Sequence, residues 1–215
     1  MKKHGILGLF LIGIATTTFG QAFEKGKFLL SGGIGLGIFG TTSEWKITDN
    51  FTLRNEDGAF GINIPIAAEY AISNRISLGI VLQPVTYIDD PDDTADANDE
   101  NVPGFTFGIT GAYHFITTEK LDFFGNMVLG AGTLNFPEND NNDEFAFSGA
   151  HLKLGVGLRK YFSNRVGWFC TLGYAYYGFQ LSEFIADGTE LDTDEIDWDF
   201  TFNGLELATG ITVKL

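Results

Sequence analysis

The sequence predicts an all-β fold, a closed eight-stranded antiparallel up-and-down transmembrane β-barrel with short periplasmic turns and long acidic extracellular loops. Three observations carry this expectation. Greasy residues alternate with polar or small ones over eight stretches of the chain. Tight turns and long connections alternate between those stretches. Beyond the N-terminus, no segment reaches the roughly 18 consecutive apolar residues of a membrane-spanning helix.

The last stretch shows the alternation most clearly. Leu205, Leu207, Thr209, Ile211, Val213 and Leu215 fall on one side, and Glu206, Ala208, Gly210, Thr212 and Lys214 on the other. Strand side chains point alternately to opposite faces, so one face is apolar and the other polar or small. A soluble, lipocalin-like barrel would turn the greasy face inward against bulky partners. The second face here is too small and polar for that, as Gly61, Asn63, Pro65, Ala67 and Glu69 show. These residues suit a polar lumen, while Phe60, Ile62, Ile64, Ile66, Ala68 and Tyr70 face lipid. Lipid leaves no partner for an open sheet edge, so the strands must close.

Residues 1–22 read as a signal peptide. Lys2 and Lys3 supply the positive start, Gly5 to Ala15 the apolar run, and Gly20-Gln21-Ala22 the small residues for cleavage, with a cut two residues earlier also open. Residues 23–215 then form one barrel domain. The strands are expected at about 27–38, 59–71, 75–87, 104–115, 121–134, 148–162, 166–181 and 203–215. Each exceeds the roughly 9–11 residues a tilted strand needs to cross a bilayer. The short turns are Ser73-Asn74-Arg75, Thr117 to Lys120, and Ser163-Asn164-Arg165. Ser-Asn-Arg occurs twice, and Asn suits the positive φ of a hairpin turn. The long connections are 39–58, 88–103, 135–147 and 182–202. Short turns belong in the periplasm, together with both termini.

The chain carries 28 acidic residues against 13 Lys and Arg, a net charge of −15. Most of the acids fall in the long connections, so the charge belongs to an external crown. Nucleic acid is excluded as a partner, because phosphate contacts need a basic footprint. Cys170 is the only cysteine and has no internal disulfide partner; it sits on the greasy side of its strand. Phe28, Tyr70, Tyr113, Phe115, Phe123, Phe162, Trp168, Tyr174 and Tyr176 cluster near strand ends, where aromatic girdles meet the headgroups.

Gly35, Gly37 and Gly40 match a dinucleotide-binding fingerprint by letter, but no helix follows to receive a phosphate. They read instead as small residues that let neighbours pack closely. Ionisable residues on the inner face are more informative. Lys27, Glu69, His114, Arg159 and Lys214 fall low in the barrel, and His151, Lys153 and Glu206 higher. A narrow lumen cannot hydrate isolated charges, so they must pair. The expected pairs are Glu69 with Lys27 or Arg159, and Glu206 with Lys153, forming a structural plug rather than a gate. Ser148 and His151 lie three apart in one strand and face opposite ways, so they form no dyad, and no catalytic residue is expected.

Two acidic groups offer the carboxylate oxygens that calcium prefers: Asp89, Asp90, Asp92 and Asp93, and Asp192, Asp194, Glu195 and Asp197. Neither matches a twelve-residue calcium loop with its central Gly, so solvated acidic loops, no metal and no cofactor are expected. Trp45, Phe51, Trp198 and Phe200 are either adhesive anchors or extensions of the strands above the membrane.

With these features in view, the chain resembles the small outer-membrane β-barrel domain family, the OmpA-like and opacity-type barrels. The resemblance rests on the signal, on Phe28-Leu-Leu-Ser-Gly-Gly-Ile-Gly-Leu-Gly37, on Tyr70-Ala-Ile-Ser-Asn-Arg-Ile-Ser-Leu-Gly79 and on Leu207-Ala-Thr-Gly-Ile-Thr-Val-Lys-Leu215. The hairpin and ending are similar to barrels of the Bacteroidetes type, including relatives of a Por secretion protein. Many such barrels end in Phe, where this chain has Leu215. The resemblance implies outer-membrane lipid, lipopolysaccharide and the barrel-assembly machinery as partners, with an extracellular ligand left open. It implies no shared activity. The functional expectation is a non-enzymatic structural or surface-binding protein acting through its acidic extracellular loops. A narrow, weakly cation-preferring pore and a lipid-modifying enzyme are the alternatives.

Overall fold

A computed structural model describes residues 22–48, 51–89, 101–136, 144–186, 189–191, 193 and 196–215. The strands are β1 (Phe28–Thr48), β2 (Phe51–Asn63), β3 (Ile66–Ala71), β4 (Ile76–Asp89), β5 (Asn101–Thr117), β6 (Leu121–Phe136), β7 (Glu144–Tyr161), β8 (Val166–Ala186), β9 (Thr189–Leu191) and β10 (Asp197–Lys214). Neighbours in the chain pair antiparallel, and β10 pairs both with β8 and with β1, which closes the ring. β2 and β3 are two halves of one wall strand, and β9 pairs only β8, leaving the eight wall strands the sequence predicts.

The break between β2 and β3 falls at Ile64 and Pro65. Pro65 has no N–H to give to the ladder. The neighbours bridge the gap: Gly33 N–H donates to the Pro65 carbonyl (3.1 Å) and Ile64 N–H to the Pro84 carbonyl (3.0 Å).

The three short turns share one chemistry, and it is hydroxyl chemistry. Ser73 Oγ accepts from the N–H groups of Arg75 (3.2 Å) and Ile76 (3.0 Å). Ser163 Oγ accepts from Arg165 (3.3 Å) and Val166 (3.0 Å) in the same way. Thr118 Oγ1 does so for Lys120 and Leu121. The serine therefore closes both Ser-Asn-Arg turns through local side-chain-to-backbone bonds.

The strands run further outward than expected. Most of 39–58 is not loop but the continuing ladder of β1 and β2, paired as far as Thr48 and Phe51. In the same way β8 and β10 absorb much of 182–202. A ladder needs only backbone partners, and lipid is not one of them, so pairing continues beyond the expected strand ends. Trp45, Phe51, Trp198 and Phe200 thus extend strands above the membrane, and Trp45 and Trp198 stack across the β1–β10 register.

Outside, Ile34, Ile38, Leu78, Ile109, Leu154, Leu172 and Leu205 are among many exposed apolar side chains, a continuous lipid-facing belt. The girdle aromatics point outward too, with Phe28, Tyr70, Tyr113, Phe115, Phe123, Phe162, Tyr174 and Tyr176 all exposed. Inside, the lumen is not polar throughout, which corrects the expectation. Above the ionic layer it is filled by Phe39, Tyr87, Phe147, Tyr177, Phe179 and Phe202. Phe39 and Phe202 had fallen in presumed loops. Gly37 and Gly61 leave room for the Phe39 ring, which stands 2.4 Å and 2.9 Å from where their side chains would begin.

Candidate functional site in the lumen and outer mouth

The lumen is layered from the turn end upward. The floor is Ala22, Phe23, Leu29, Ala71 and Tyr161, all nearly inaccessible. Ala22 N–H donates to the Thr118 carbonyl (2.8 Å), and the Phe23 ring stacks on His114 with centroids 3.4 Å apart.

Next comes a buried ionic cluster. Arg159 bonds Glu69 from across the barrel and reaches Asp122 Oδ2 at 3.4 Å. His114 Nδ1 lies 2.7 Å from Asp122 Oδ1, and His114 Nε2 lies 3.2 Å from Ser77 Oγ. Ser77, His114 and Asp122 thus stand in the order of a hydrolytic triad. Their hydrogen bonds run the wrong way for it. The Ser77 hydroxyl donates its single proton to Glu69 Oε2 at 2.7 Å rather than to His114 Nε2. A nucleophilic serine needs the imidazole to accept its proton. All three residues are also buried, with the Phe23 ring stacked on His114.

Above the cluster is a cavity of about 120 Å³ in the wall and lumen, bordered by Asn63, Gln83, Thr110, Asn126, Lys153 and Glu206. Lys153 Nζ donates to Glu206 Oε2 (2.9 Å) and Gln83 Oε1 (2.7 Å), and Tyr177 O–H donates to Glu206 Oε1. The aromatic layer follows, with Tyr87 stacked on Phe202 at 4.4 Å and Phe39 edge-on to Tyr87, Tyr177 and Phe202. Beyond it a cup of about 250 Å³ lies at the external end.

No protein-family model and no curated protein matches the sequence. Among solved structures, the outer membrane protein OprG from Pseudomonas aeruginosa is similar with a TM-score of 0.65, over 90% of this chain and 97% of that one, at 13% identity. Neisserial surface protein A is similar with a TM-score of 0.52, over 89% of this chain and 100% of that one, also at 13% identity. The fold is that of the small outer-membrane β-barrels. In a small outer-membrane barrel, lumen and external crown are the two places where side chains meet anything but lipid.

In this barrel both expected ion pairs form, Glu69 with Arg159 and Glu206 with Lys153. Lys27 does not take part: it precedes β1, is half-buried, and has no ion pair within 4 Å among the described residues. The structure therefore selects Arg159, which enters from the far wall, over Lys27. Lys214 is buried with its ammonium 5.1 Å from the Tyr161 ring. His151 faces inward against Tyr177 and belongs with the aromatic layer. Asp122, Ser77, Gln83, Tyr177 and Phe23 were missed. Asp122 was readable, since it shares its face with Phe124 and Val128. Phe23 was not, because it adjoins the presumed cleavage point.

Of the acidic candidates, Asp90, Asp92, Asp93, Asp192, Asp194 and Glu195 lie outside the described residues. Asp89 ends β4 opposite Ala59. Asp197 pairs with Lys46 at 2.6 Å, which raises the Lys46 pKa through the hydrogen bond and the attraction of the carboxylate. Among the described residues no three His, Cys, Asp or Glu side chains are placed to hold a metal. Gly35 faces the Asn63 side chain, which would meet an added Cβ at 2.2 Å, so this glycine serves packing.

Proposed function

We propose that the protein is a non-enzymatic component of the outer membrane that acts at the cell surface, its wall holding up the external crown rather than conducting solutes. The observation that supports this reading is the double closure of the lumen. Eight strands leave an interior little wider than the side chains within it. Here a floor and ionic cluster fill the periplasmic half, and an aromatic layer fills the external half. A pore would need a continuous wet path, and none of these layers offers one. The reversed hydrogen bonds at Ser77 speak against hydrolysis. Recording across planar bilayers is the test. A quiet baseline is expected, and reproducible ohmic steps would overturn the reading. Location is tested separately: protein from a washed outer-membrane fraction should migrate differently boiled and unboiled.

A further inference from the structure

We infer that the external cup binds a small organic cation. This deepens the surface-binding role proposed above and rests on it. One wall of the cup is a continuous run of rings. Phe136 contacts Phe200 at 5.7 Å, Phe200 contacts Phe202 at 5.1 Å, and Phe202 stacks on Tyr87 at 4.4 Å. The facing wall is polar and includes Asn55 and Asp57.

The charges sort by face. The acids on the outer side of these upper strands are engaged, Glu44 and Glu56 with Arg54 at 3.3 Å and 2.7 Å, and Asp197 with Lys46 at 2.6 Å. Asp57 has the opposite parity and lines the cup. Among the described residues it has no ion pair; its Oδ1 accepts only the N–H of its neighbour Gly58, at 2.7 Å. Among the described residues no Lys or Arg lines the cup.

The partly buried rings of Phe136 and Phe200 and the Asp57 carboxylate present the same sign of potential, and that combination suits an ammonium group with an apolar coat. An anionic ligand would meet only repulsion. A cavity of about 250 Å³ suits a molecule of modest size.

The test is calorimetric titration of the full-length protein in maltoside micelles, which carry no quaternary ammonium of their own. Choline is compared with 3,3-dimethyl-1-butanol, its uncharged isostere. Choline is expected to bind about fivefold or more tightly than the isostere. Asp57→Asn should narrow that gap, and Phe200→Leu, which keeps an apolar side chain but removes the ring, should weaken choline alone. Both variants are confirmed folded by the boiled-versus-unboiled shift. Equal affinity for the two probes, or no saturable choline binding, would overturn the site. Either of those outcomes leaves the closed-barrel reading standing, because only conductance bears on that.

Discussion

Glu69 and Arg159 stand on opposite walls of the barrel and meet between them. β3 and β7 are four wall strands apart in a ring of eight, the greatest separation available. The bond therefore braces the cylinder across its width, a different job from that of a cross-strand pair such as Lys46 with Asp197.

Removing Arg159 leaves two buried carboxylates, Glu69 and Asp122, without their shared cation. Arg159→Met is expected to destabilise the barrel by about 3–5 kcal/mol. Adding Glu69→Gln should recover part of the loss, because one stranded charge is then gone. Urea unfolding in lipid vesicles reads both, and an unchanged midpoint for Arg159→Met would remove the brace from the account.

The two closures act in series. Phe202→Ala opens space in the upper layer at a cost of about 3–5 kcal/mol, but should leave bilayers silent because the ionic cluster below remains. Arg159→Ala alone should be silent for the converse reason. Only their combination with Phe23→Ala, which also opens the floor, is expected to conduct. Conductance in either single variant would show that one layer alone seals the lumen.

Ala22 and Phe23 are part of the folded floor, which bears on processing. A cut after Ala22 would discard a residue whose N–H is bonded to Thr118 and would place a new ammonium beside the His114 stack. A cut after Gly20 leaves both residues in place. The mature protein is therefore expected to start at Gln21, and its intact mass decides the point. Phe23→Ala should cost about 3 kcal/mol.

Gly37 has a packing reason to be glycine. A Cβ there would begin 2.4 Å from the Phe39 ring, itself wedged among Tyr87, Tyr177 and Phe202. Gly37→Val is expected to destabilise by about 1–3 kcal/mol through overpacking, read as a lower temperature for the boiled-versus-unboiled transition.

The crown behaves differently. Asp197 raises the Lys46 pKa, so that pair contributes below the ordinary lysine range and is lost as pH climbs through the raised value. Both side chains are exposed. Lys46→Met should therefore leave the unfolding midpoint unmoved at about 0.15 M salt, where screening acts within about 8 Å.

What the sequence made legible follows from one rule of geometry. Inward parity plus the cost of desolvation was enough to pair Glu69 with Arg159 and Lys153 with Glu206. The same parity marked Asp122, which was overlooked at the very start of its strand. Phe39 and Phe202 fall just inside the expected connections 39–58 and 182–202, yet hydrogen bonding continues through both positions. Phe23 was hidden because it adjoins the expected cleavage point. The Ser77 contacts join three wall strands, a relation that spacing along the chain does not express.

The ring is sewn shut by the two ends of the chain. β1 pairs with β10 from Leu29 opposite Lys214 to Lys46 opposite Asp197, and Ser31 bonds Thr212 across 181 residues of sequence. That seam cannot begin to form until the last strand has emerged. Until then the growing sheet exposes two raw edges, each able to recruit a stranger. Its close backbone approach at Gly33 and Gly210 leaves no space for a side chain once zipped. The ring is therefore completed last of all, when its final strand meets its first.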